Sequence, residues 1–565
     1  MGENLFDNLD ELAAADGNEA RWAARAPYRP QPGVDLMLIP RTPAWREDAA
    51  ALAALERIES QPWVAELSRE GRQPTLRLTD EWIERAGEAA RDEGFAAEDR
   101  DLAAGGRYAV YFWGANTTKA LHIGHLRNLA VGNAISASLR QAGGEVENRS
   151  LICDVGRSMG EAMAGVSGSG NGAAAEPALV GAKSDHFVGA CYADYVKAGR
   201  TGGGETPEDD GAEDSLARES TLYRDRADEL MLRVLDGDQE AIELWSKTRA
   251  WVISGQRKTL ARLGISFDKV IFESDFLPEV RELTNLGLGD GTLVRRYGDD
   301  MVIYETEREE LEEMPLVRAD GLPTQHMRAL AYWSAAPELD DVISLQVCGN
   351  EWVAHVTCRR KLIDELGVAS ANGNGSARGG GPPTHDVFHG MVARENRSIS
   401  SSKEGALLID DLADWLEREI DADPRRAAVR DALPHPDRLA AQIALGGFLL
   451  QPNGRRVEFE PEKLLEDGKG SLGWDLARAR ARRAGAPADG DPAADPDYRF
   501  AVVQAQMYRR HLQSAVREFE TLPLARFLSH LARWYLEEEE RRPEVEAVVH
   551  SVIDRGRDGL GIEGA

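Results

Sequence analysis

The run over residues 107–144, RYAVYFWGANTTKALHIGHLRNLAVGNAISASLRQAGG, restricts the fold more than any other stretch of the chain. Residues 108–113 are aromatic and apolar with a β-branched member and lie between Gly-containing flanks, the pattern of a buried strand. Leu126, Leu129, Ala130, Ile135 and Leu139 recur at close to a 3.6-residue period. The run ends at Gly143 and Gly144, so a helix is expected over residues 125–142. Residues 145–154 (EVENRSLICD) then resume as a second strand. The unit is β-loop-α-β, and it predicts an α/β fold built on a Rossmann-type, doubly wound parallel sheet. Between strand and helix stands His122-Ile123-Gly124-His125. A glycine there lets backbone approach a ligand, a helix start offers N–H groups and positive potential to phosphate, and two imidazoles add donors.

A histidine pair at a helix start is often only a cap. A second element far downstream, Ser398-Ile399-Ser400-Ser401-Ser402-Lys403-Glu404-Gly405, changes its weight. Together the two resemble the HIGH and KMSKS signatures of class I aminoacyl-tRNA synthetases. Amino-acid activation brings a carboxylate onto the α-phosphate of ATP and expels pyrophosphate, so several cationic or donor groups must converge. The resemblance implies that His122, Gly124 and His125 cradle ATP. Lys403 and the hydroxyls of Ser400, Ser401 and Ser402 would close over the departing phosphates on a mobile loop. Lys119, three residues before His122, supplies a further cation. Mg2+ is expected with ATP, and no protein ligand set for a metal is legible.

At 565 residues, 42% of them apolar, the chain can build about three domains. Residues 1–105 read as an acidic, mostly helical appended region with one short strand at 74–78. Residues 106–410 read as the Rossmann-type domain, with a helical insertion at about 180–263 and further strands at 264–272, 342–348 and 387–392. A hairpin is expected at 291–306 and helices at 329–336 and 352–366. Residues 411–565 read as an all-α C-terminal bundle. Gly-rich or charged stretches at 165–177, 200–214 and 370–383 read as surface loops. No membrane span or secretory leader is indicated, and four scattered cysteines suggest a reducing cytoplasm without structural zinc. A net charge of −30 repels a polyanion unless basic residues cluster. Two clusters are candidates for RNA, one with Arg478 and Arg480 and one with Arg509 and Arg510.

Three segments in order, GANTTKALHIGHLRN, LVRADGLPTQHMRALAYW and FHGMVARENRSISSSKEGALLIDDL, resemble the arginyl-tRNA synthetase family. The similarity spans roughly residues 105–565. Residues 466–481 and the terminal GRDGLGI look like that family's anticodon-binding helical domain. The resemblance implies that Asn116 holds the substrate α-amino group. It also implies that Lys119 stands in for the first KMSKS lysine, whose place is taken here by Ser398. The departures concern the side-chain pocket. Where the family clamps the guanidinium with an acidic residue, a Tyr and an Asp, this chain has Tyr111, Gln325 and Ala329. A cation left unpaired in a buried pocket costs about 3–5 kcal/mol, so arginine is disfavoured and a neutral or amidic amino acid fits better. Glu351 would either restore the lost charge or hold the amino group. The expectation is a monomeric cytoplasmic ligase of arginyl type, with an amino acid and tRNA as partners. Two alternatives stay open: an adenylate-forming ligase that acylates a small molecule or peptide amine, and an inactive RNA-binding paralogue.

Overall fold

The computed structural model describes residues 4–14, 20–91, 99–168, 176–201, 212–308, 311–335, 342–368, 384–394, 397–398, 407–468, 471–482, 485 and 490–562. At its centre five strands pair only in parallel: β1 (Arg107–Tyr111), β2 (Glu145–Ile152), β3 (Lys269–Phe272), β4 (Ile343–Gly349) and β5 (Thr384–His389). Their spatial order is β5-β4-β1-β2-β3. Chain order reverses between β1 and β4, and a doubly wound sheet opens its ligand crevice at that point, beyond the carboxyl ends of the strands. Tyr111 is the last paired residue of β1, opposite Gln346 on β4 and Arg149 on β2. The backbone beyond Tyr111 therefore runs straight into the crevice.

Helix α1 (Ile123–Gln141) follows and is buried on nearly every face. It packs against the sheet and also against helices Leu439–Leu449, Pro496–Glu518 and Pro543–Gly559. Gly132 makes the sheet side possible, since a Cβ there would lie 2.2 Å from Phe112 Cβ. On the other side Asn133 and Ser138 donate to the carbonyls of Gly561 and Gly559, both at 2.6 Å, so the terminal GRDGLGI turn is stitched to α1. Arg127 is fully buried and donates to four carbonyls: Gly390 and Arg455 at 2.7 Å, Asn453 at 2.8 Å and Pro452 at 2.9 Å. It clamps the chain leaving β5 to the start of α1.

The insertion differs in detail from the expectation. The stretch 216–263 is two helices, Ala212–Leu235 and Gln239–Arg262, because Gly237 takes φ +86° and Asp238 caps the second helix by accepting from the Ala241 N–H at 2.9 Å. The expected hairpin at 291–306 gains a third strand, with Leu311–Val317 pairing antiparallel to Val302–Arg308. It leads into α2 (Gln325–Ala335), which starts four residues earlier than the apolar period suggests. Thr324 meets the new helix end there, its hydroxyl accepting from the Met327 N–H at 3.4 Å. After β4 comes α3 (Val353–Glu365).

In the N-terminal region one strand is expected, and the described residues hold four: Trp22–Arg25, Leu36–Pro40, Thr75–Leu78 and Val64–Ser68 form an antiparallel sheet beside three described helices. Strands of four or five residues show too little alternation to stand out in an Ala-rich background. Buried Arg499 fixes this region to the C-terminal helices by pairing with Asp35 and Asp80, both at 2.6 Å. The expected C-terminal helices are present, several opened by proline at the first turn, as at Pro424, Pro496 and Pro543. Most of the expected loops at 165–177, 200–214 and 370–383 lie outside the described residues. Among the described residues no helix is long and apolar enough to cross a membrane.

Candidate active site

The four residues at the start of α1 form a closed hydrogen-bonding unit. The Gly124 N–H donates to His122 Nδ1 at 3.1 Å, and the His122 N–H donates to His125 Nδ1 at 3.1 Å. The Ile123 N–H goes to Leu407 O, and those of His125 and Leu126 go to His122 O. Each of these N–H groups of the helix start, the Gly124 amide included, has an internal acceptor. What the turn presents instead follows from the acceptors. With each Nδ1 accepting, the ring proton of both histidines sits on Nε2, so the pair offers two neutral N–H donors. Their rings stack with centroids 3.9 Å apart. Gly124 is needed for this, since a Cβ there would fall 2.9 Å from His122 Cε1.

Burial and the Lys119 ammonium lower the His122 pKa to about 4. Burial, with His122 and Lys119, holds that of His125 well below its usual value. Both imidazoles are thus neutral when folded and ordinary when unfolded. Between about pH 6.5 and pH 4 the unfolded chain takes up protons that the folded pair refuses, so stability is lost as pH falls through this window, by at most about 1.4 kcal/mol per pH unit for each group. The thermal midpoint of His122→Asn should therefore decline less between pH 7 and pH 5 than that of the wild type. Equal declines would contradict this.

The pair opens on a cleft of about 340 Å³ at the reversal point of the sheet. Tyr111, Gln325, Ala329 and Glu351, hundreds of residues apart in part, line this same cleft with His122, Gly124 and His125. Asn116 lies in an adjoining recess that shares Cys153 and Gln325 with it. The Tyr111 hydroxyl is 2.6 Å from that of Tyr332 and receives a hydrogen bond from Arg149 Nη1 at 3.2 Å. Glu351 is exposed at the rim, folded back over Gly349. Glu273, deep in the wall, is consumed by Arg328 at 2.6 Å, and Arg328 also donates to Cys153 Sγ. Burial pushes the Glu273 carboxyl up, while the pair keeps Arg328 protonated.

Lys119 lies beside the histidines, its ammonium acting on both, and burial lowers its pKa to about 8. Ser398 is placed only as backbone, in strand Arg397–Ser398, which pairs with Val392–Arg394 on the cleft wall. Ser400, Ser401, Ser402 and Lys403 lie outside the described residues. The chain next described, at Leu407 and Leu408, is bonded to the histidine turn itself: His122 bridges Leu408 and the Ile409 N–H donates to Leu121 O. Directly after it Asp410 anchors the insertion, pairing with Lys183 at 2.7 Å and His186 at 2.9 Å, which holds its carboxyl well below the usual range despite burial.

The four arginines singled out for RNA are each engaged with a carboxylate. Arg478 meets Asp467 at 3.1 Å, Arg480 meets Asp554 at 2.9 Å, Arg509 meets Asp101 at 2.8 Å and Arg510 meets Asp10 at 3.4 Å. A phosphate at any of them must compete with an internal partner. Sequence reasoning missed Asn128, which bridges the ends of β1 and β5 by donating to Phe112 O at 2.6 Å and facing His389 Nε2 at 2.9 Å. It also missed Arg328, Trp333, His355 and Arg359.

The parallel sheet, the paired histidines at the reversal point and the helical C-terminal region together are the class I aminoacyl-tRNA synthetase fold. No family model matches the chain. The arginine–tRNA ligase of Porphyromonas gingivalis is 26% identical over 524 residues, covering 85% of this chain and 84% of that protein. That of Treponema pallidum is 28% identical over 368 residues, or 64% and 57% of the two chains. The arginyl-tRNA synthetase of Thermus thermophilus superposes with a TM-score of 0.64 at 18% identity, over 99% of this chain and 97% of that one. That of Plasmodium falciparum gives 0.59 at 13%, over 99% and 96%. The chain is a homologue of the arginyl-tRNA synthetases, and its relatives are ligases.

Proposed function

We propose that this protein activates an amino acid other than arginine with ATP and transfers the acyl group to tRNA, acting as a monomer in the cytoplasm. The observation that carries the reading is the neutral, Nε2-protonated histidine pair opening on the same cleft as Tyr111, Gln325 and Ala329. In the reaction an amino-acid carboxylate oxygen bonds to the α-phosphorus of Mg2+-ATP while the bond to the bridging oxygen breaks, and pyrophosphate leaves with that electron pair. Negative charge grows on the phosphoryl oxygens, where two fixed N–H donors and the Lys119 cation are useful. Lys403 and the neighbouring serines would close over the leaving group. Support for their place comes from the described chain on either side, which stands at the cleft wall and at the histidine turn. Among the described residues the one cluster with metal-ligand spacing, Asp185, His186 and Asp410, is occupied by the Lys183 ammonium, so Mg2+ enters as part of the nucleotide substrate.

A second reading keeps activation but passes the acyl group to an amine of a small molecule or peptide. The engagement of all four candidate arginines with internal carboxylates favours it. ATP–pyrophosphate exchange across the standard amino acids, followed by acylation of bulk tRNA, separates the two. Exchange with acylated tRNA supports the first reading, and exchange without it supports the second. Exchange driven by arginine at an ordinary KM contradicts the claim about the amino acid. Absence of exchange with any amino acid contradicts activation.

A further inference from the structure

We propose that the side-chain end of the cleft selects an amino acid with a carboxylate side chain, read by the guanidinium of Arg359. The proposal rests on the activation reading above and narrows its substrate class.

Arg359 projects from α3 into the cleft beneath Trp333, its Cζ 5.5 Å from the ring centroid. Among the described residues its hydrogen bond runs from Nη2 to a neutral acceptor, Gln346 Oε1, at 2.7 Å. The carboxylate acting on it, Asp386, pairs with Arg360 at 2.7 Å. The wall carboxylate Glu273 is taken by Arg328. Arg359 is thus a cation inside a substrate cleft, and among the described residues it has no carboxylate within ion-pair distance. Burial accordingly lowers its pKa to about 10.

Two further groups at the same end need a partner. Among the described residues Trp333 Nε1, which can only donate, is buried without an acceptor, and His355 Nδ1 is buried without a hydrogen-bond partner. His355 stacks on His326 at 4.3 Å, and burial lowers the pKa of His326 to about 4, so His326 brings no positive charge of its own. The end of the cleft is therefore rich in donors and holds a guanidinium that, among the described residues, has no carboxylate within ion-pair distance. A carboxylate supplies the planar, bidentate acceptor that a guanidinium matches best. An arginine side chain would bring five more donors and a second positive charge.

The test uses the full-length protein. Pyrophosphate exchange is measured with aspartate, glutamate, asparagine, glutamine and arginine, and binding of each is measured by calorimetry without ATP. Aspartate or glutamate should exceed its amide by about 100-fold or more in kcat/KM, with arginine inert. R359Q should remove that preference, mainly through KM, while exchange with the amides persists. R359K, which retains charge but not the fork, should keep the preference at reduced affinity. Best exchange with arginine or a neutral amino acid overturns the proposal. So does an R359Q variant, folded by its thermal midpoint, that slows all substrates equally. If no amino acid supports exchange, R359-dependent calorimetric binding of aspartate or glutamate upholds the pocket assignment and contradicts activation alone. Absence of both overturns the two together.

Discussion

His122→Asn is expected to lower pyrophosphate exchange by about 10²–10³-fold while leaving the fold in place. Asparagine is chosen because it separates two roles of the same ring. Its Oδ1 can take the Gly124 N–H that His122 Nδ1 now accepts, so the start of α1 stays capped. It has nothing at the position of Nε2. The variant therefore deletes one N–H donor and little else, and the loss should fall on kcat, because the donor matters most when charge develops on the phosphoryl oxygens. His122→Ala would also remove the cap, at about 1 kcal/mol, and would confuse the two effects. Exchange kinetics beside a thermal melt decide the matter. An asparagine variant with near wild-type kcat would show that the imidazoles serve only to cap the helix.

The largest loss of stability is expected from Arg127→Met. The side-chain volume is roughly kept, but the carbonyls of Gly390, Pro452, Asn453 and Arg455 lose their donor in a buried place. Removing one partner of a buried, charge-assisted network costs about 3–5 kcal/mol. At about 2–4 °C per kcal/mol for a unit of this size, the thermal midpoint should fall by roughly 6–20 °C. The damage also has an address, because Met391 and Val392 line the cleft one and two residues beyond Gly390. Exchange should weaken at temperatures where the variant is still folded. A shift of under about 1 kcal/mol would mean that water replaces the guanidinium without penalty.

Much of the centre of the molecule was legible because its signals are local. A buried strand, a glycine-ended helix and a second strand specify a β-α-β unit wherever they occur, and the histidine turn sits where that unit needs a cap. Residues carried by the family resemblance, Tyr111, Gln325 and Ala329, do meet in one cleft. The rest was hidden for physical reasons. The N-terminal strands are too short for alternation to show. Arg127 is a lone charge on its stretch of helix and Arg359 opens a basic triplet with Arg360 and Lys361, and only tertiary contacts distinguish a carbonyl clamp or a cleft cation from a solvated surface arginine. The arginines at 478, 480, 509 and 510 illustrate the converse: a cluster in sequence is taken up, residue by residue, by carboxylates from other parts of the chain.

The central claim is that two neutral imidazoles at the start of α1 hold the phosphates of ATP. A crystal structure with a non-hydrolysable ATP analogue and Mg2+ tests it most directly. The account predicts phosphate oxygens within about 3.2 Å of Nε2 of His122 and His125, with the amino-acid end of the cleft left open beyond Tyr111. A nucleotide seated elsewhere, or one whose phosphates face away from both rings, would contradict it.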